Sequence, residues 1–262
     1  MSEFVEPVLS ACIVLHHSGM GTLHTVQCFQ ESDIALELHV VDHSPRSTLS
    51  LHMLWQCPGI QYYQQPQNPG FASGQNVPLP YLRSQYHLIC HPDVTFDDAL
   101  LSRMVAYMEF HQECMILSPK VINDKGEEQF LPRRAPTFRH LLGNALVKWG
   151  GIFKRWHAQY TLAGESITTP TAVETASGCF LLIRTGLLQH LKGLGTDFVH
   201  AHACDDLCRR AREFGTVVYH PDMVVTHHRK PRRRSLSERL RRLRDALHYL
   251  RKWRKIDKSV RR

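Results

Sequence analysis

The chain of 262 residues is 43% hydrophobic and 21% charged, the balance of a folded domain and not of a disordered chain. Its 15 Gly and 14 Pro lack a collagen period, and no apolar run approaches the ~20 residues that span a bilayer. The formal charge of +8 is unevenly placed: residues 229–262 carry 16 Lys+Arg against three acids, so the preceding body is net acidic and does not read as a nucleic-acid groove.

The first residues, MSEFVEPVLSACIV, hold Glu3 and Glu6 and no basic stretch, so no secretory leader is expected. Eight Cys without a CxxC pair are expected as mostly buried, reduced thiols of a cytoplasmic protein. Residues 9–15 form a short apolar run, a buried-strand candidate. The pattern then predicts a helix over 22–30, a strand over 36–41 ending at Asp42, a helical stretch over 47–57 and a short strand over 59–64. NPGFASGQN at 68–76 is rich in turn residues. A strand over 86–90 ends in His91-Pro92-Asp93, and Asp97 and Asp98 open a helix that aligns Leu101, Met104, Val105 and Met108. A strand at 115–117 follows, then a polar loop and a basic, partly helical stretch over 137–156. Next come a strand over 176–183, helices within 186–191 and 198–214, and short strands at 217–219 and 223–226. Strands alternating with helices indicate an α/β fold with a mainly parallel central sheet flanked by helices.

The one composition break, at 228–231, divides the chain into a body of 1–228 and a basic tail of 229–262. In the tail, Leu236, Leu240, Leu243, Leu247 and Leu250 recur at steps of four and three among arginines, with Ser235 and Glu238 spaced as a capping box. Such a basic amphipathic helix suits an anionic membrane surface; its leucines could also dock on the body or pair between copies.

Two acids sit where ligands bind in an open α/β sheet, just past strand ends: Asp42 and Asp93. Neither is specific alone. Six motifs in order are: VVDHS at 40–44, NPGFASGQN at 68–76, LICHPDV at 88–94, SGCFLLIR at 177–184, DDLCRRAREFG at 205–215 and YHPDMVVTH at 219–227. Together they resemble the family-2 glycosyltransferases of the GT-A fold, specifically the rhamnosyltransferase-like branch that builds bacterial surface polysaccharides. The tail sequence ALHYLRKW is weakly similar to the ending of that branch.

The resemblance implies an inverting transferase moving a deoxyhexose, such as rhamnose from dTDP-rhamnose, onto a lipid-linked or lipopolysaccharide glycan. It would act in the cytoplasm, peripherally on the inner face of the bacterial plasma membrane, with no nucleic acid as partner. Asp42 would contact the nucleoside, and Asn68, Gly70 and Asn76 would form the loop beside nucleotide and sugar. Asp93, His91 and His227 would hold Mg²⁺ or Mn²⁺. Arg133-Arg134 resembles a basic stretch before the acceptor region. Where the family has its Glu-Asp pair, this chain has Ala203 and Cys204, so the proton-accepting role would fall to Asp205 or Asp206. The alternative is a catalytically impaired sugar-nucleotide-binding or scaffold relative in an assembly complex. His200, His202, Cys204 and Cys208 also read as a candidate zinc set, though not at the spacing of common zinc modules. No Ser- or Cys-nucleophile motif is present.

Overall fold

A computed structural model describes residues 7–17, 21–45, 59–65, 67–129, 132–162, 165–199, 201–228 and 235–260. The helical stretch expected over 47–57, and His200 of the candidate zinc set, lie outside these residues. In chain order the elements are β1 (Leu9–Leu15), α1 (Gly21–Gln30), β2 (Leu36–Asp42), β3 (Ile60–Gln64), α2 (Phe71–Gln75), β4 (Tyr86–Cys90), β5 (Val94–Thr95), α3 (Leu100–Phe110) and β6 (Cys114–Ile122). They continue with α4 (Phe138–Leu146), α5 (Gly151–Thr161), β7 (Thr171–Ala172), β8 (Phe180–Arg184), α6 (Thr185–His190), α7 (Ala203–Ala211), β9 (Thr216–His227) and α8 (Leu236–Val260).

The strands form one sheet in the order β3-β2-β1-β4-β8-β6-β9-β5, with β7 on β9. From β3 to β4 every pair is parallel, and the apolar run of β1 is buried along nearly all its length, as a strand covered on both faces requires. β8 then runs antiparallel between β4 and β6, while β6 and β9 are again parallel. The sheet is therefore mixed: its parallel halves match expectation, and β8 reverses between them. The two strands expected at 217–219 and 223–226 are one strand, β9, because a register shift opposite Pro119 and Lys120 absorbs the Pro221 region without ending the pairing.

Both faces of the sheet are covered. Neighbouring strand residues alternate between two apolar clusters: Leu88, Leu117 and Leu182 face α1 and α3, whereas Ile89, Ile116 and Leu181 face the side that holds α6, α7 and α8. Helix α3 buries Leu101, Met104, Val105 and Met108 at helical spacing, and its entry is fixed where Ala99 N–H donates to the carboxylates of Asp97 and Asp98.

The tail helix α8 shares the second cluster. Its Ala246, Tyr249 and Trp253 are buried. Asp206, with no exposed surface, receives Trp253 Nε1–H at 3.1 Å, Lys252 Nζ at 2.7 Å and Arg210 Nε at 2.9 Å. Ala201 N–H donates to Asp245 at 3.0 Å. Ser235 Oγ accepts from Glu238 N–H, the cap expected from sequence. The leucine stripe points elsewhere: Leu236, Leu240, Leu243 and Leu247 are 74%, 59%, 51% and 38% exposed.

Two histidines in the sheet are buried and neutral. Burial lowers His39 to about 4 and His87 to about 3, the latter with a smaller contribution from His39. The unfolded chain protonates both near pH 6.5, so the stability they confer is complete above that value and is lost as pH falls through it toward the folded values. The urea midpoint should therefore drop between pH 7 and pH 5, and His87→Gln should flatten that slope; an unchanged slope in the variant would contradict the assignment.

Candidate functional site

The sheet places its chemistry at one rim. β1, β2, β4 and β9 all run the same way, so their carboxyl ends, and the amino end of the reversed β8, lie together. Asp42 closes β2 and Asp93 follows β4, with β1 between them. Two strand spacings separate such positions by about 10 Å across the sheet. Thr25 Oγ1 donates to Pro92 O at 2.9 Å and accepts from Val94 N–H at 3.1 Å, so α1 holds the His91–Asp93 turn.

At this rim lies a cavity of about 460 Å³, bordered by His91, Asp93 and His227 from the strand ends and by Arg133, His202 and Asp205. Arg242 also lines it, reaching in from α8. The helix that supplies Asp205 starts sharply: His202 adopts a left-handed backbone, φ 69° and ψ −2°, immediately before Ala203. Asp205 then lies in the first turn, where its Oδ2 meets His202 Nδ1 at 2.7 Å. Burial would raise the Asp205 carboxyl, but the His202 hydrogen bond and charge, with Arg133 and Thr175, outweigh this and hold it below the usual carboxylate value.

The neighbouring residues are arranged differently. Cys204 fits because residue 178 is glycine: a Cβ there would come within 2.4 Å of the Cys204 sulfur. Burial pushes the Cys204 thiol well above its ordinary value, which makes it a poor proton acceptor. Asp206 turns away from the cavity into its contacts with Lys252, Trp253 and Arg210. Of the two aspartates singled out as proton acceptors, Asp205 lines the cavity and Asp206 anchors α8.

The expected nucleotide-side residues Asp42, Asn68, Gly70 and Asn76 are not among those lining this cavity, and each holds contacts of its own. Asp42 is fully buried; its Oδ1 accepts from Ser44 N–H and its Oδ2 from the Tyr62 hydroxyl, both at 2.8 Å. Asn68 Oδ1 accepts from Gly70 N–H. Gly70 has φ 102°, and a Cβ there would come within 2.9 Å of Val199 O, so glycine lets this loop approach the 199 region. The Asn76 amide is engaged twice with Leu194, donating to its carbonyl at 2.8 Å and accepting from its N–H at 2.9 Å. The stretch expected as turns contains the short helix α2, which packs Ala72 and Gln75 inward.

Asp93 Oδ1 lies 3.3 Å from His227 Nε2, and His227 Nδ1 donates to Gln129 Oε1 at 3.2 Å. Burial would raise the Asp93 carboxyl; His227, by hydrogen bond and charge, and His91 beyond it, hold it low instead. The His91 and His227 rings are 5.4 Å apart. Donor atoms of His91, His227 and Cys179 lie within 4.8 Å of one another, the one such grouping among the described residues. Two imidazoles, a thiol and an adjacent carboxylate fit a borderline divalent cation; Mg²⁺, which wants oxygen ligands, fits them poorly. The described members of the other candidate zinc set, His202, Cys204 and Cys208, form no such group.

Sequence reading did not single out Cys179 or Arg242. The first becomes visible only from the β4–β8 register, and the second only once α8 is docked, since helical periodicity alone does not say which arginine faces the body.

The chain matches the family model "Glycosyl transferase family 2" over residues 28–191. A comparison with curated protein sequences finds no significant match. Among solved structures it is similar to the mannosyltransferase PcManGT from Pyrobaculum calidifontis in complex with GDP-Man and Mn²⁺, with a TM-score of 0.63 at 16% identity over 96% of this chain and 65% of that one. It is similar to S. aureus TarS 1-349 in complex with UDP, with a TM-score of 0.62 at 14% identity over 92% and 64%. It is also similar to GalNAc-T7 with UDP, GalNAc and Mn²⁺, with a TM-score of 0.64 at 13% identity over 86% and 44%. The chain thus spans less than two thirds of the length of each, and at these identities the likeness is one of fold. The rim, the mixed sheet and the family match agree: the chain belongs to glycosyl transferase family 2 and has the GT-A fold.

Proposed function

We propose that the protein is an inverting glycosyltransferase that takes a sugar from a nucleoside diphosphate donor. The observation that carries this reading is the cavity at the strand ends, whose lining a carboxylate–imidazole pair shares with cationic side chains and Asp93. The donor would lie along the rim, its nucleoside toward Asp42 and the 68–76 loop and its diphosphate between His91, Asp93 and His227 on one side and Arg133 and Arg242 on the other. PcManGT carries GDP-Man and TarS carries UDP in their complexes, which supports a nucleotide-sugar ligand here.

In this arrangement the acceptor hydroxyl oxygen attacks the anomeric carbon in line with the departing diphosphate. The new C–O bond forms as the bond to the diphosphate oxygen breaks, and its electron pair leaves with the nucleotide. The hydroxyl proton passes to the His202–Asp205 pair: Asp205 accepts Nδ1–H, which leaves Nε2 as the site for a proton, the division of labour of an oriented imidazole base. Asp205 alone, held at a low pKa, is a weaker base. Arg133 and Arg242 stabilise the charge gathering on the leaving group. Asp93, His91 and His227 would hold a divalent cation that helps neutralise the same charge; Mn²⁺ accompanies GDP-Man in PcManGT and UDP with GalNAc in GalNAc-T7.

Rhamnose from dTDP-rhamnose, and a lipid-linked or lipopolysaccharide acceptor, are the finer reading; the order of the six sequence motifs supports them. The exposed leucine stripe of α8, flanked by exposed Arg239, Arg241 and Arg244, supports contact with an anionic leaflet at the inner face of the plasma membrane. None of the described helices is long and apolar enough to cross a membrane. A second reading, a sugar-nucleotide-binding relative without turnover, is favoured by Cys204 at the family's base position and opposed by Asp205 in the cavity.

Isothermal titration against dTDP-, UDP- and GDP-sugars should give a donor that binds, and Asp42→Ala and Asp93→Ala should each weaken it at least tenfold; unchanged binding in both would remove the basis of the reading. Asp205→Asn should lower transfer by about 10²–10⁴-fold with donor binding retained. Asp206→Ala should instead cost about 1–3 kcal/mol in urea unfolding, because it leaves the buried Trp253 indole N–H without its acceptor and half-buried Lys252 without its carboxylate. The opposite division would exchange their roles. Sedimentation with vesicles should require anionic lipid, weaken with salt and fall in Leu240→Ser/Leu243→Ser; equal binding to neutral vesicles would oppose the leaflet contact.

A further inference from the structure

We infer that Cys179 is a metal ligand, and that with His91 and His227 it makes this rim a centre for zinc or a similarly thiophilic cation. The inference deepens the proposed function by naming the cation, but it concerns binding and stands apart from turnover.

The register produces the cluster. Cys90 pairs with Phe180 across the antiparallel β4–β8 ladder, so the next opposed pair is His91 with Cys179, and His91 N–H donates to Cys179 O at 2.9 Å. Opposed residues in such a ladder project to the same face. β9 ends at His227 beside them, where Val94 pairs with His227 and His228 N–H donates to Asp93 O. Three separate strands thus deliver one donor each. The donor atoms already lie within 4.8 Å of one another. A tetrahedral zinc ion, with bonds of about 2.0–2.3 Å, spaces its ligands by roughly 3.3–3.8 Å, so small side-chain rotations close the set.

The surroundings fit a ligand role. Gln129 Oε1 accepts from His227 Nδ1–H, and Nε2 points at Asp93 Oδ1, 3.3 Å away, so the ring is held between two oxygens. A cation that takes the place of the Nε2 proton would be shared by Nε2 and the Asp93 carboxylate, and an outer hydrogen bond such as that from Nδ1 to Gln129 is what orients ligating imidazoles. Asp93 is placed to complete the shell or to leave that position to a diphosphate oxygen. Cys90, the neighbouring thiol, is not part of the set: its Sγ donates to the His91 carbonyl. On coordination the Cys179 thiol proton leaves to solvent and the sulfur binds as thiolate.

The chelator-treated full-length protein would be titrated with Zn²⁺, Co²⁺, Mn²⁺ and Mg²⁺ in the absence of donor and acceptor. One Co²⁺ per chain should bind with a tetrahedral d–d spectrum and a near-ultraviolet thiolate-to-cobalt band, and Zn²⁺ should displace it. Zn²⁺ should bind at least 100-fold more tightly than Mg²⁺. Cys179→Ser and Cys179→Ala should abolish the thiolate band and weaken Zn²⁺ about tenfold or more while changing Mn²⁺ little. A bound Co²⁺ spectrum without the thiolate band in the unmodified protein, or Zn²⁺ affinity no greater than that for Mg²⁺, overturns the inference, and neither readout depends on a variant folding. Zinc bound through Cys179 in a protein that binds no sugar nucleotide would uphold this inference and defeat the proposed function instead.

Discussion

The direction of β8 is the constraint on which the rim depends. A strand that enters the sheet against its neighbours begins where they end. It therefore carries the segment before Phe180 across the carboxyl ends of β4 and β9, and with it Gly178 and Cys179. Had β8 been parallel, residues 176–179 would lie at the opposite edge and the floor of the cavity would be missing. The reversal also makes room for α7, since Cys204 rests against Gly178 where no side chain intervenes. Beside that close approach lie the left-handed turn at His202 and the start of α7, which places Asp205.

Charge is divided across this frame in a way that the net value conceals. The body is acidic and the tail basic, but the two meet at buried Asp206, where α7 and α8 are joined through Lys252 and Trp253. Burying a carboxylate costs several kcal/mol unless it is paired, and here one indole and two cations pair it. The same docking carries Arg242 to the cavity and leaves the leucine stripe on another side of the helix. One helix thereby supplies a core anchor, a cationic cavity residue and an exposed apolar face.

Much of this frame was legible in the sequence. The continuous apolar run of β1, the alternation into two clusters and the 3.6-residue spacing of α3 are direct consequences of periodicity. The GT-A fold came through motif order, which is sensitive to the positions of strand ends. What remained hidden depends on contacts between distant segments. Cys179 reads as one more core thiol until β4 and β8 are in register. Asp205 and Asp206 are adjacent and chemically identical, and only the rotation of α7 sends one into the cavity and the other into the helix interface. Asn76 reads as a ligand-loop residue, yet its amide is bound to the Leu194 backbone, a pairing across 118 positions that no local pattern encodes. The break at 228–231 marks a change in composition, while Tyr249 and Trp253 lie in the body's second apolar cluster.

The central claim is that one rim of this mixed sheet grips an activated sugar from both sides. A crystal structure with a bound nucleoside diphosphate tests it most directly. The account predicts the nucleoside against Asp42 and the 68–76 loop, with the diphosphate between Asp93 and Arg133. A nucleotide bound away from the strand ends, or a rim that admits none at saturating concentration, would contradict it.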